Sequence, residues 1–114
     1  EVRGVGPKLT SLFLRDVVYL FNLEPRIEPM DRLYYQPIDK WIRTISEYII
    51  EDCGEPADWI LAGKIARVAR KSGVGGALFN MGTTYFGSRE VHSTQEFEAA
   101  VCGIMRAAAI ARGA

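Results

Sequence analysis

Two charged residues in the first third of the chain have types that could do chemistry together. Lys8 directly follows the turn Gly4-Val5-Gly6-Pro7, and Asp39 stands in the segment QPIDKW. A lysine amine can act as a nucleophile and form a Schiff base with a sugar carbon. A carboxylate nearby can stabilise the positive charge that develops on that carbon in the transition state. Cleavage of an N-glycosidic bond through a Schiff base uses both groups.

The turn before Lys8 predicts a contact with phosphate. Gly6 suits the N-cap of a helix and Pro7 its first position, where a missing N–H costs no hydrogen bond. Backbone N–H groups at such a helix N-terminus can approach a phosphate without a side-chain clash. We therefore expect Gly4, Val5 and Gly6 to contact the DNA backbone.

The motifs GVGPK and PIDKWI together resemble the helix-hairpin-helix DNA glycosylase superfamily, the relatives of endonuclease III and 8-oxoguanine glycosylase. By this resemblance Lys8 matches the catalytic lysine of the hairpin and Asp39 the catalytic aspartate. Ile42 and Ile45 match the apolar positions of the helix that follows. The resemblance covers roughly residues 2–46. It implies a base-excision repair glycosylase with apurinic/apyrimidinic lyase activity, which removes a damaged, oxidised base through a lysine Schiff base.

The chain departs from the family pattern at several positions. Arg3 stands where proline is usual, and the iron–sulfur cysteines of some members are absent. The spacing from Lys8 to Asp39 exceeds that of familiar members, so Asp31 is an alternative catalytic acid. We prefer Asp39, because Pro37 would interrupt the helix that the family continues after its aspartate.

A second class of function is compatible with the same residues. In a non-catalytic helix-hairpin-helix module that binds DNA or a partner, Lys8 would contact a phosphate, and Asp39 would only stabilise the first turn of its helix. The pairing of the two residues favours the enzyme. Tyr34 and Tyr35 are candidates for a base pocket, whereas Trp41 fits the core stripe of its helix.

The zero net charge gives no overall indication of nucleic-acid binding, so any basic surface must be local. The run KIARVARK places Lys64, Arg67 and Lys71 on one helical face, with Arg70 beside them. Such a stripe predicts that Lys64 and Arg67 contact the DNA backbone. Cations near a helix C-terminus also stabilise the helix itself, which is the structural alternative.

Cofactors, membrane spans and secretion have no signature in the sequence. Cys53 and Cys102 are far apart and have no companion at metal-ligand spacing, so we expect no metal site and no cofactor. Their small number indicates a reducing, intracellular compartment, either the cytoplasm and nucleoid or a nucleus. No apolar run approaches the length of a membrane span.

Hydrophobic periodicity predicts an all-α fold of about five helices that contains the second half of a helix-hairpin-helix motif. The helices are expected from Pro7, from about Pro37 to Ile50, from about Ala57 to Ser72, within GGALFNMGTTYFG, and after Ser93, whose capping box includes Glu96. An ordered, irregular loop should span Glu24 to Gln36. The residues predicted to face inward on the first, third and last helices are Leu9, Leu12, Phe13, Val17, Leu20, Ile60, Leu61, Ile65, Val68, Phe97, Val101, Ile104, Met105 and Ala108.

The chain is expected to be a single helical domain or fragment over residues 1–114. Residues 1–50 would hold the hairpin and the catalytic helices, and residues 51–114 the remaining helices of the glycosylase fold. The resemblance places the family's N-terminal lobe on a segment outside this sequence. The expected partners are double-stranded DNA with a damaged base or abasic site, that lobe, or a second copy of the chain.

Overall fold

A computed structural model describes residues 6–51, 54–111 and 113. Over these residues it has five α-helices: α1 (Pro7–Leu20), α2 (Lys40–Ile49), α3 (Asp58–Lys71), α4 (Gly76–Tyr85) and α5 (Thr94–Ala111). The connection from α1 to α2 contains 3₁₀ helices at Glu24–Arg26 and Pro29–Tyr35, and α4 continues into a π-helical turn at Phe86–Glu90. The described residues contain no strand, so the predicted all-α class is confirmed. With Pro29–Tyr35, the longest of the other three helical segments, counted beside the five α-helices, there are six helices where about five are predicted.

Residues with positive φ angles end two of the helices. Gly73 has a φ of 72°, and the amide of Val74 donates to the carbonyl of Ala69 at 2.9 Å. This arrangement is a Schellman C-cap, which favours glycine because the left-handed conformation crowds a side chain. Asn22, with a φ of 51°, ends α1 in the same way. The predicted end of α3 at Gly73 is thus confirmed.

The start of α5 is capped nearly as predicted. The Ser93 hydroxyl accepts a hydrogen bond from the amide of Glu96 at 3.1 Å. The Glu96 carboxylate accepts from the amide of His92 at 3.4 Å, one residue earlier than a capping box requires. The predicted cap is therefore confirmed for Ser93, whereas the Glu96 side chain binds the amide of His92 and not that of Ser93.

The central helix α2 packs on two sides. Ile42, fully buried, lies against Leu61 of α3, and Trp41 lies against Phe97 of α5 with ring centroids 5.2 Å apart. The prediction that Trp41 packs in the core is confirmed. Helix α2 therefore contributes to two separate clusters, one shared with α3 around Ile42 and one shared with α5 around Trp41.

Most of the apolar face predicted for α1 does not point inward: Leu12 and Val17 are half-buried, and the other three residues are exposed. Exposure is 52% for Leu9, 67% for Phe13 and 71% for Leu20, whereas Arg15 and Val18 are buried. The helix packs on α4 and on the 3₁₀ helix Pro29–Tyr35 through the Arg15 side. The prediction is wrong because hydrophobic periodicity assigns an arginine to solvent unless a buried polar partner is known.

Parts of the stripes predicted for α3 and α5 are also exposed. The outward residues are Ile60, Ile104 and Met105. In α5 only the N-terminal half is buried, through Phe97 and Val101, which belong to the cluster around Trp41. A helix longer than its packing partner leaves its last turns uncovered, which periodicity alone does not reveal.

A buried amide on α4 joins α1 to the segment before α2. Asn80 has no exposed surface. Its Oδ1 accepts a hydrogen bond from the Arg15 guanidinium at 3.0 Å. Its Nδ2 donates to the Gln36 side chain at 2.9 Å and to the Pro37 carbonyl at 3.0 Å. Gln36 donates in turn to the carbonyl of Gly76 at 2.9 Å. Among the described residues no buried side-chain polar atom lacks a partner. The network thus replaces the water contacts that these groups lose on folding.

The N-terminus of α4 is held by Glu24. Its carboxylate accepts from the amide of Gly76 at 3.0 Å and from the hydroxyl of Tyr35. A carboxylate at this position also interacts favourably with the helix dipole. Burial, together with the hydrogen bond to Glu24, raises the pKa of Tyr35, so the phenol stays a donor even at an alkaline pH at which a free tyrosine ionises. The stretch predicted to be an irregular loop is therefore ordered and partly 3₁₀-helical.

The packing of Gly87 on Trp41 yields a prediction about stability. A Cβ at Gly87 would lie 2.2 Å from a ring carbon of Trp41, whereas one at Gly82 would meet open space. Gly87→Ala should lower the free energy of unfolding by about 2 kcal/mol, and Gly82→Ala should leave it unchanged or raise it by up to about 1 kcal/mol. Urea denaturation measures both. Equal effects would contradict the close contact at Gly87.

Candidate functional site

A cavity of about 230 Å³ lies between α1, the segment before α2 and the start of α3. It brings together Lys8, Tyr34, Asp58 and Trp59, with Ile38 in its wall. An amine, a carboxylate and two aromatic rings thus share one space. Pockets for drug-sized ligands measure about 300–1,000 Å³, so this cavity suits a single ring system.

The two aromatic side chains at the cavity are available for stacking. Tyr34 is 60% exposed and Trp59 is 68% exposed. The hydroxyl of Ser11 on α1 donates to the Tyr34 carbonyl at 2.9 Å, which holds the Tyr34 backbone beside Lys8. Tyr35, the other predicted pocket tyrosine, is buried against Glu24 instead.

Trp59 is a site residue that the sequence reasoning does not identify. Its only signal is that a large aromatic stands outside the apolar stripe of α3. Asp58, the first residue of α3, lines the cavity as well and is likewise absent from the sequence motifs. The Arg43 guanidinium contacts the Asp58 carboxylate and donates to the Pro56 carbonyl at 3.2 Å, which links α2 to α3 at the cavity.

Lys8 lies in the first turn of α1 and is exposed at the cavity. Gly6, the N-cap, is extended with φ −81° and ψ 171°, and among the described residues no atom lies within 4 Å of where a Cβ would stand. The open space is what a backbone contact with phosphate needs. Gly4 and Val5, the other predicted contacts, lie outside the described residues.

Asp39 is the N-cap of α2, which therefore begins at Lys40 and not at about Pro37 as predicted. Its Oδ1 accepts from the amide of Ile42 at 2.8 Å, and its Oδ2 accepts from the Thr84 hydroxyl at 2.9 Å. Pro37 lines the cavity, and Asp39 follows two residues later without lining it. Each oxygen of the Asp39 carboxylate thus accepts one hydrogen bond, which fixes the orientation of the group.

Asp31, the alternative acid, has a different setting. It is exposed on the 3₁₀ helix Pro29–Tyr35, which ends before Pro37, and it does not line the cavity. Neither Asp31 nor Asp39 lines the cavity, and the preference for Asp39 rests on the sequence motif.

The basic stripe on α3 is present as an exposed surface. Arg67, Arg70 and Lys71 are exposed, and Lys64 is half-buried. The helix begins with Asp58 at the cavity and ends with Lys71. One helix therefore carries both a wall of the cavity and the predicted phosphate contacts.

No known protein family, curated protein or solved structure matches the chain. Within residues 6–51, 54–111 and 113, no group of three or more His, Cys, Asp or Glu side chains is placed to hold a metal ion. No helix in that part of the chain combines the length and apolar character needed to span a membrane. The indications of function are therefore the motifs around Lys8 and Asp39 and the residues that line the cavity.

The capping role of Asp39 can be separated from its charge. Asp39→Ala should lower the free energy of unfolding by about 1 kcal/mol, because the Ile42 amide loses its acceptor. Asp39→Asn keeps a capping oxygen and should stay within about 0.5 kcal/mol of the wild type. Urea denaturation compares the two variants. A loss from Asn as large as that from Ala would show that the capping oxygen alone does not stabilise α2, and that the charge of Asp39 or its hydrogen bond with Thr84 is required.

Proposed function

We propose that the protein is a DNA glycosylase with apurinic/apyrimidinic lyase activity that acts on a damaged base in double-stranded DNA during base-excision repair. The observation that carries the proposal is that Lys8 lines a cavity of single-ring-system size together with Trp59. The resemblance of GVGPK and PIDKWI to the helix-hairpin-helix glycosylases supports it from the sequence side.

In the proposed reaction the neutral amine of Lys8 attacks the sugar carbon C1′ of the damaged nucleotide. The C1′–N bond breaks, and its electron pair leaves with the base, which takes up a proton. The Lys8 nitrogen loses a proton, the sugar ring opens as its oxygen gains one, and a protonated Schiff base remains. Removal of a C2′ proton then expels the 3′ phosphate and cleaves the strand by β-elimination.

Asp39 is proposed to stabilise the positive charge that develops at C1′ while the base departs. A carboxylate that is already fixed needs no reorganisation when the charge appears, which is the condition for effective electrostatic stabilisation. The Ile42 amide and the Thr84 hydroxyl provide that fixation. The electrostatic attraction between Asp39 and the cationic sugar acts only in the step that breaks the glycosidic bond, because the sugar is positively charged only then.

The cavity is proposed to receive the extruded base. Removing a base from the helical stack costs a few kcal/mol, and stacking on an aromatic side chain returns about 1–3 kcal/mol. Trp59 and Tyr34 are exposed at the cavity and suited to this contact. That the base is oxidised follows from the family resemblance, in which a lysine nucleophile accompanies oxidised bases.

A second candidate is a non-catalytic DNA-binding module. The observation that favours it is that both carboxylate oxygens of Asp39 accept structural hydrogen bonds, as a purely capping residue would. Lys8 would then contact a phosphate beside the Gly6 turn. The two functions differ in whether Lys8 forms a covalent bond with DNA.

Borohydride trapping on a duplex with an abasic site tests the covalent step. The wild type should give a covalent protein–DNA adduct, and Lys8→Gln should give none while it keeps most of its DNA affinity. Lys40→Gln is the matched control, because Lys40 is exposed next to Asp39 but its ammonium lies 4.5 Å over the Trp41 ring. No adduct from a folded, DNA-binding wild type would favour the binding module.

The basic stripe is tested by the salt dependence of DNA binding. If Lys64 and Arg67 each contact one phosphate, Lys64→Gln with Arg67→Gln should reduce the slope of log affinity against log salt by about 1.8. Arg26→Gln with Arg89→Gln removes the same charge from exposed positions on other elements and should leave the slope nearly unchanged. Equal reductions in both double variants would mean that the stripe makes no specific contact.

A further inference from the structure

We propose that Thr84 is a positioning residue, which holds the Asp39 carboxylate in the orientation needed when the base departs. The inference rests on the proposed glycosylase function and adds a residue that the sequence motifs do not contain. The Thr84 hydroxyl donates to Asp39 Oδ2 at 2.9 Å, from α4 to the cap of α2.

A helix cap alone leaves the carboxylate partly free. The Ile42 amide binds only Oδ1, at 2.8 Å. Rotation of an aspartate carboxylate about its last side-chain bond is broad, so one donor restricts the plane weakly. The bond from Thr84 to Oδ2 supplies a second fixed point from a different helix. Two donors on two oxygens define the plane of the Asp39 carboxylate.

The helix that carries Thr84 is itself anchored to both halves of the proposed site. Asn80 lies one turn before Thr84 on the same face of α4 and donates to the Pro37 carbonyl at 3.0 Å. It also accepts from Arg15 at 3.0 Å, on the helix that carries Lys8. Asn80 and Thr84 together therefore relate the nucleophile on α1 to the carboxylate at the start of α2.

A positioning role of Thr84 and a purely structural role predict different effects on two steps of the reaction. Positive charge at C1′ develops while the base leaves, and only this step needs Asp39 in a set orientation. A pre-formed abasic site already presents an aldehyde, which Lys8 attacks without departure of a base. Loss of the Thr84 hydroxyl should therefore slow base excision more than Schiff-base formation at an abasic site.

The test compares single-turnover base excision with borohydride trapping in three variants of the full chain. Thr84→Val removes the hydroxyl and keeps the branched shape; it should slow excision on the order of tenfold or more, within the loss of up to about 100-fold that misplacement of a catalytic group can cause. Trapping at a pre-formed abasic site should change by less than about twofold. Thr84→Ser should restore most of the excision rate. The substrates are duplexes with one oxidised purine or one oxidised pyrimidine.

Thr44→Val is the matched control, since the Thr44 hydroxyl donates to the Lys40 carbonyl within α2 and not to Asp39. It should excise at the wild-type rate. Unchanged excision by Thr84→Val, no rescue by Thr84→Ser, or an equal loss in Thr44→Val would overturn the inference while Lys8-dependent trapping stands. A wild type that traps the abasic site but excises neither base would overturn the inference and the glycosylase part of the proposed function, and would leave its lyase part standing. A wild type that gives no adduct would overturn the proposed function as well.

Discussion

The buried side-chain amide of Asn80 is the interaction on which the arrangement of the helices depends. A fully buried amide must satisfy its donors and acceptor inside the protein, because an unpaired polar group there costs about 1–3 kcal/mol. Asn80 does so with Arg15, Gln36 and the carbonyl of Pro37. These partners lie on α1 and on the segment before α2, so satisfying one side chain sets the position of three parts of the chain.

Arg15 shows why the network also determines which face of α1 is inside. Its guanidinium is buried and donates to Asn80, with Asp16 at 3.0 Å as a second partner. A buried charge is tolerated only when it is paired and hydrogen-bonded. Turning α1 so that Phe13 faced inward would remove Arg15 from these partners. In α1 the hydrogen bonds of the buried Arg15 therefore outweigh the burial of the apolar face that contains Phe13.

The candidate site gathers one or two groups from each neighbouring element. Lys8 of α1 and Trp59 of α3 line the cavity, whereas Asp39 at the cap of α2 and Thr84 of α4 are hydrogen-bonded to each other and do not line it. No single element contains enough of the site to function alone. The contribution of the fold is to place an amine and two aromatic rings at one cavity, and to fix a carboxylate by donors from two helices. Such fixation is the property that electrostatic catalysis requires.

The sequence by itself determines the local features of this protein. The positions of α3, α4 and α5, the glycine end of α3, the Ser93 cap and the burial of Trp41 follow from periodicity and capping chemistry, which act over a few residues. The motifs around Lys8 and Asp39 are likewise visible in the sequence. Only the tertiary structure decides the orientation of α1, the exposure of the second half of α5, and the approach of Trp59 and Thr84 to the site. These depend on contacts between residues far apart in the chain, such as Arg15 with Asn80, and no local pattern encodes such a pair.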